Sequence, residues 1–288
     1  MPGKTRARRH TKNKTQKNSK QYLICMPGGG LCDMMMRIYV CIEYCKKYNR
    51  TMILDTSQST HAQDSIFNYF SIGSPCIYHG NTNILHSKTS YPKDLVRKIK
   101  QDIDSPKLCM NIKKSFDEDI VFYRRCGRMF SPEYYYKHFL SICKLTPLVK
   151  EVYSERKQKL PQEYISVHVR NTDYKSNVDG FINKHSKIFE ANTMFLASDD
   201  YDTIQKFKQL YGTRVITFAH IKPLDGAEAH HKITMTKKEN RTLTIDAIVD
   251  LLLLAGGKSI YASSKESGYS KVAKLLHDTP KILNHLLE

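Results

Sequence analysis

Apolar positions along the chain alternate between short runs and longer segments of helical period. Tyr22–Met26 is a brief apolar run, Pro27–Gly30 a tight turn, Leu31–Tyr48 a helix and Thr51–Asp55 a second short run, which together predict a βαβ unit. From residue 64 to 160 the pattern weakens to several short segments, a polar stretch around Gly80–Pro92 and an aromatic helix near Pro132–Lys144. It sharpens again with strands at Tyr164–Val169, Thr193–Ala197, Arg214–Ala219 and Ser259–Ala262, and with helices at Asp200–Tyr211, Leu243–Ala255 and Ser267–His277. Strands alternating with amphipathic helices imply an α/β protein with parallel sheets covered on both faces. Two such sheets, divided near residues 145–163, fit 288 residues. The expected organisation is a tail at 1–20, an N-terminal Rossmann-like lobe at 21–150 and a C-terminal one at 151–288, with no internal repeat.

Composition agrees with a folded globular chain: 40% of residues are hydrophobic and 26% charged, and 13 Gly with 10 Pro exclude collagen-like or low-complexity architecture. Charge adds something the pattern does not show. The formal net charge is +18, and residues 1–20 contribute eight Lys/Arg and no acid, so the tail is expected to be disordered and the body remains basic without it. Such a body attracts polyanions or phosphorylated small molecules. Nucleic acid is the competing partner, but the chain carries no recognised binding module or RNP-type aromatic pattern. The longest apolar stretch, Ile245–Gly256, is interrupted by Asp246 and Asp250 and reads as a buried helix, so no membrane span and no signal peptide are expected, and the predicted location is cytoplasmic. The eight cysteines lack C-x-x-C pairs and zinc spacing, which predicts free thiols.

Four segments carry candidate chemistry. The turn Gly28, Gly29, Gly30 joins a strand to a helix, where the backbone can approach a ligand closely and helix N–H groups can face an anion; Asp33 replaces the third glycine of a dinucleotide fingerprint, which leaves a NAD-dependent oxidoreductase resting on βαβ periodicity and an incomplete fingerprint. His168, Arg170, Asn171 and Asp173 cluster after the strand Tyr164–Val169, at the edge where parallel sheets bind ligands. Arg170 there is suited to grip a phosphate, against the plainer reading of a surface ion pair with Asp173. Asp199 and Asp200 end the next strand, and Asp200-x-Asp202 spells a D-x-D triplet that is expected by chance, so helix capping is preferred to metal binding. Asp250, on an apolar helix, and the run Ser263, Ser264, Ser267, Gly268, Tyr269, which leads into a helix, complete the set.

In order, these segments resemble the core α-1,6-fucosyltransferases and the related bacterial nodulation fucosyltransferases. GGGLCDMMMRIYVCIEYCKKYNRTMILD (28–55) is similar to the family's first motif region, HVRNTD (168–173) to its H-V-R-R-T-D, FLASDD (195–200) to its strand ending in T-D-D, and DAIVDLLLLAGGKSIYASSKESGYSKVA (246–273) to its last region. The likeness spans residues 22 to 277, with the middle third poorly matched. It implies a GT-B fold of two Rossmann-like lobes facing a cleft. It further implies an inverting transferase moving a sugar from a nucleotide-sugar donor, GDP-fucose by resemblance, to an oligosaccharide or glycoprotein hydroxyl without a metal or other cofactor. By position, Arg170 would hold the donor β-phosphate, His168 and Asp250 the nucleoside, and Ser267 with its neighbours the diphosphate, while Asp200 shapes the site. Asn171 stands where the family has a second arginine, which leaves another donor such as UDP-xylose open. The family's catalytic glutamate would fall at Val178, beside Asp179; Asp179 is therefore the expected general base and Asp173 the alternative. The membrane anchor, stem and SH3-like module of the animal enzymes have no counterpart in the chain, which implies a microbial or viral enzyme building glycans in the cytoplasm.

Overall fold

The computed structural model describes residues 20–77, 89–91, 114–123, 132–172, 175–221 and 235–288. The tail at 1–19, most of the Gly80–Pro92 stretch, Cys109, Cys126 and Asp173 lie outside the described residues. The first sheet holds β1 (Tyr22–Cys25), β2 (Thr51–Leu54), β4 (Ser90–Tyr91) and β5 (Ile120–Tyr123) in the order β2-β1-β5-β4, every pairing parallel. Helix α1 (Leu31–Tyr48) crosses between β1 and β2, so the predicted βαβ unit is present. The second sheet holds β7 (Ile165–Val169), β8 (Met194–Ser198), β9 (Val215–Ile216) and β10 (Ile260–Ala262) in the order β10-β7-β8-β9, again all parallel. A small antiparallel pair, β3 (Phe70–Ile72) with β6 (Cys143–Leu145), completes the strands.

Burial explains the form of β7. All five of its residues are buried, because helices cover both faces of the sheet. Ile165, Val167 and Val169 pack with Phe181, Phe189, Ile204 and Phe207 from α4 (Val178–Ala191) and α5 (Tyr201–Tyr211). Ser166 and His168 point to the opposite face, against the long helix α6 (Lys237–Ala255) and helix α7 (Gly268–Asp278). Helix α6 begins six residues before the predicted start, at a capping box in which Thr236 and Glu239 satisfy each other's backbone N–H groups. Three helices that the apolar pattern did not single out are present: α3 (Pro147–Gln158), α4 and α8 (Pro280–Leu287). The strand expected at Arg214–Ala219 contracts to Val215–Ile216 after a 3-10 turn at Gly212–Arg214.

The C-terminal half of α6, from Ile248 to Ala255, is buried all round and sits in the main apolar cluster. The turn after it lies so close to β7 that a Cβ at Gly257 would collide with Ser166 Oγ and stand 3.0 Å from Ser166 N. The two acids that interrupt its apolar run face α3, where Arg156 donates Nη2 to Asp246 and Nη1 to Asp250 at 3.4 Å. Burial pushes the Asp250 carboxyl up to about 8; Arg156 opposes this, and Asp246 adds to it. No helix among the described residues is long and apolar enough to cross a membrane.

Gly257→Ala is expected to cost about 1–3 kcal/mol in urea unfolding through overpacking against β7. Gly30→Ala, with open space around its Cβ position, serves as a control within about 0.5 kcal/mol of wild type; equal stability of the two variants would show that the α6–β7 approach is looser than described. Because the folded-state pKa of Asp250 lies above its ordinary value of 3.8, the folded protein holds the extra proton between about pH 4 and 8, and stability falls as pH rises through that window. Asp250→Asn removes this contribution, so its stability relative to wild type should improve from pH 5 to pH 8 in parallel thermal melts.

Candidate functional site

The order β10-β7-β8-β9 places a topological switch point between β7 and β10, whose connections leave in opposite directions. A crevice at the C-terminal ends of two such strands is where parallel sheets take ligands. The strand ends are stitched together there: Ser263 N donates to the His168 carbonyl at 3.0 Å, and Arg170 N donates to Ser263 Oγ at 3.2 Å. Ser176 Oγ donates to the Arg170 carbonyl at 2.5 Å and lies 3.0 Å from Ser263 Oγ. The sequence-predicted residues His168, Arg170 and Ser263 are thus brought to one edge.

His168 is buried, with Nδ1 2.6 Å from Ser270 Oγ and its ring tilted over Tyr269 at 5.1 Å. Burial and the Arg170 guanidinium lower its pKa to about 4, so the imidazole is neutral at pH 7 and acts through hydrogen bonds rather than charge. Tyr269 donates its hydroxyl to the Ala247 carbonyl at 2.5 Å, which fixes the first turn of α7 to α6. Ser264 Oγ accepts from Glu266 N at 3.2 Å and shapes the turn before that helix.

Ser267 occupies the N-cap position of α7, yet its side chain makes no capping bond. It is 3% exposed and its Oγ has no hydrogen-bond partner. A buried hydroxyl left unpaired at a helix N-terminus costs stability unless a ligand takes it up. Across from it stands the first turn of α1: a Cβ at Gly268 would lie 2.9 Å from the Tyr136 hydroxyl and 3.5 Å from Cys32 Cβ. The Arg170 charge reaches the same Cys32 thiol, lowering a pKa that burial raises. Gly28, Gly29 and Gly30 precede that turn, with Gly29 at φ +88° and its Cβ position 2.9 Å from an Asp33 carboxylate oxygen, so a side chain there meets both strain and a clash. Arg37 holds the turn by donating Nη1 to the Gly28 carbonyl. The N-termini of α1 and α7 and the Ser267 hydroxyl therefore converge on one region, within electrostatic reach of Arg170. Cys32 and Tyr136, from the first half of the chain, were not among the sequence-predicted residues; Tyr136 lies within the predicted aromatic helix, here α2 (Pro132–Ser141).

Other predicted residues serve the frame. Asn171 N donates to Asp199 Oδ1 at 2.8 Å, its Nδ2 to Asp200 Oδ2 at 2.9 Å, and its Oδ1 accepts from Ser176 N at 3.1 Å, so its amide clamps the loop after β7. Asp200 caps α5 by accepting from Thr203 N at 3.1 Å, and Asp199 also accepts from Thr172 Oγ1 at 2.7 Å. No group of three or more His, Cys, Asp or Glu among the described residues is arranged to hold a metal ion. Asp250 belongs to the buried Arg156 triad beside Tyr269, whose hydroxyl is pushed well above the usual phenol range by burial first and by Asp250 second. Asp179, in the first turn of α4, has a side chain 70% exposed and paired with Lys206 of α5.

No family model and no curated protein sequence matches the chain. Solved structures do: the NodZ α-1,6-fucosyltransferase soaked with GDP-fucose superposes with a TM-score of 0.63 at 14% identity, covering 89% of this chain and 92% of that one. Fucosyltransferase NodZ from Bradyrhizobium gives 0.62 at 14% identity over 89% and 93%. POFUT1 in complex with GDP gives 0.52 at 11% identity over 91% and 95%. With two four-stranded parallel sheets, and with α1 and α7 in contact at Cys32 and Gly268, this protein has the GT-B fold of those fucosyltransferase structures.

Proposed function

We propose that the protein is an inverting glycosyltransferase that uses a nucleotide-sugar donor, with GDP-fucose as the donor and a glycan hydroxyl as the acceptor. The observation that carries this reading is the unpaired, buried Ser267 hydroxyl at the N-terminus of α7, beside the first turn of α1 and within electrostatic reach of Arg170. Such an arrangement suits a diphosphate. As the sugar–phosphate bond breaks, negative charge grows on the diphosphate oxygens, and a fixed guanidinium with oriented N–H groups stabilises that charge more in the transition state than in the ground state. The charge is met by these groups without calling on a bound metal, since Asp199 and Asp200 are engaged by Asn171, Thr172 and Thr203. His168, neutral and aligned by Ser270, would on this reading meet the nucleoside through a hydrogen bond rather than through charge. The NodZ and POFUT1 structures solved with GDP or GDP-fucose support the choice of a guanosine donor.

Attack by the acceptor hydroxyl on the face opposite the leaving group inverts the anomeric carbon, and a carboxylate takes the hydroxyl proton. The ion pair that holds Asp179 on Lys206 favours Asp173, three residues after Arg170, for that step.

A thermal-shift panel of GDP, UDP, NAD and a short oligonucleotide, each with and without EDTA, tests the ligand class. GDP is expected to raise the melting temperature regardless of EDTA; UDP alone doing so would change the donor, and a response only to NAD or to the oligonucleotide would overturn the reading. Arg170→Ala is expected to lower kcat/KM for transfer by about 100-fold or more while the protein stays folded, and a loss of only a few-fold would remove it from the diphosphate site. Asp173→Asn is expected to reduce kcat by about 10²–10⁴-fold, with Asp179→Asn close to wild type; the reverse ranking would return the proton transfer to Asp179.

A further inference from the structure

Away from the crevice, a second group of reactive side chains lies where the segment after β3 crosses the outside of the first lobe. Met52 N donates to the Cys76 carbonyl at 2.6 Å, and Met52 bridges to Ile77, which lays residues 76–77 alongside β2. This brings Cys76 Sγ to 3.9 Å from the Ile42 carbonyl of α1 and 3.1 Å from Ser74 Oγ. Cys45 is three residues beyond Ile42 on the same helix face, which sets its thiol beside that of Cys76, close enough for each to shift the other's titration. Cys45 is fully buried, whereas Cys76 is half-buried and reachable from solvent. Both are free thiols.

We propose that Cys76 and Cys45 form an oxidation-sensitive pair, Cys76 reacting with hydrogen peroxide and Cys45 then closing a disulfide that fastens the 73–77 segment to α1. The electrostatics agree with that division of labour. The Cys45 and Ser74 hydrogen bonds, with Lys46 nearby, bring the Cys76 thiol down to about 6 against the opposing effect of burial. Cys45 is pushed up by its bond to Cys76 and by burial, with Cys25 of β1 adding to the effect and Arg50 opposing it, so it stays a thiol and donates to its neighbour. In the first step the Cys76 thiolate attacks one peroxide oxygen: an S–O bond forms, the O–O bond breaks, and the departing hydroxide takes a proton to become water. In the second the Cys45 sulfur attacks the Cys76 sulfenic acid: the S–S bond forms, the S–O bond breaks, and the hydroxyl leaves as water with the Cys45 proton. Two thiols and one peroxide give one disulfide and two waters. The proposal stands apart from the transferase reading, since neither thiol belongs to the crevice.

The test uses the full-length reduced protein. Iodoacetamide labelling followed by peptide mass spectrometry should show Cys76 reaching half-maximal rate near pH 6 and reacting about ten-fold faster than the buried cysteines at pH 7. Treatment with hydrogen peroxide should give a Cys45–Cys76 linked peptide that thiol reductants release. In Cys45→Ser the intermediate persists and dimedone should label Cys76, while Cys76→Ser, altered at a half-buried position, should leave Cys45 unmodified at the same peroxide dose. A Cys76 midpoint near the ordinary thiol value of about 8.5, or peroxide treatment that yields neither linked peptide nor dimedone adduct, overturns the proposal.

Discussion

A polar side chain buried on a helix has no water to satisfy it, so each buried polar group on α6 must be met by a partner within the fold. Those partners are what join the molecule. Near the helix start, Thr244 Oγ1 accepts from Ala62 N at 2.8 Å, and Asn240 both accepts from Gln63 N at 3.1 Å and donates to the Thr60 carbonyl at 2.8 Å. In the middle, Arg156 meets Asp246 and Asp250. Toward the end, Tyr164 donates to the Leu253 carbonyl at 2.7 Å. Loop, linking helix and second sheet are thereby referred to one axis, and a single apolar cluster runs from β1 and α1 through α6 to α7 and α8. The cost of leaving any of these groups unpaired, about 1–3 kcal/mol each, makes the arrangement cooperative.

The crevice inherits its geometry from that axis. Tyr269 reaches the Ala247 carbonyl of α6 and carries the His168 ring on its other side, while Ser270, the next residue on α7, bonds the same imidazole. The start of α7 is thus fixed against both α6 and β7, which leaves Ser267 buried with no freedom to turn toward water. On the other side, Arg37 and the Gly29 conformation set how α1 begins. On the proposed reading, an anion held between these helix ends needs no rearrangement of the protein when charge develops, so the same groups contribute more there than in solvent.

The parts legible in the sequence are those written in local pattern. The βαβ unit from Tyr22 to Leu54, the buried helix carrying Asp246 and Asp250, and the strand-end cluster at His168 and Arg170 each show within a window of one element. The parts that were not legible depend on distant residues. Nothing near Arg156 announces that it belongs with Asp246, and nothing near Cys32 or Tyr136 announces Gly268. Helix α3 is mostly polar, burying only Val149, so its apolar period is faint; its partner on α6 specifies it instead. Thr236-x-x-Glu239 was a readable start signal for α6, obscured because the first turns of that helix are polar. Asn171 shows the limit of reading by position: an asparagine aligned with an arginine looks like a weakened phosphate contact, yet here its amide is fully used in holding the loop.

That substitution changes the electrostatics of the proposed donor site in a calculable way. Replacing a guanidinium by an amide removes one unit of positive charge from the crevice, leaving Arg170 beside a neutral His168. Each helix N-terminus is equivalent to roughly half an elementary charge, so α1 and α7 together supply about as much positive potential as one further cation. Their N–H groups are aimed by backbone geometry rather than by a flexible side chain, and a diphosphate bound between them loses less side-chain entropy on capture than one held by two long arginines. On the proposed reading, a single arginine is sufficient because the fold itself provides the second positive centre, and the Ser267 hydroxyl adds a donor at the point where those two helix ends meet.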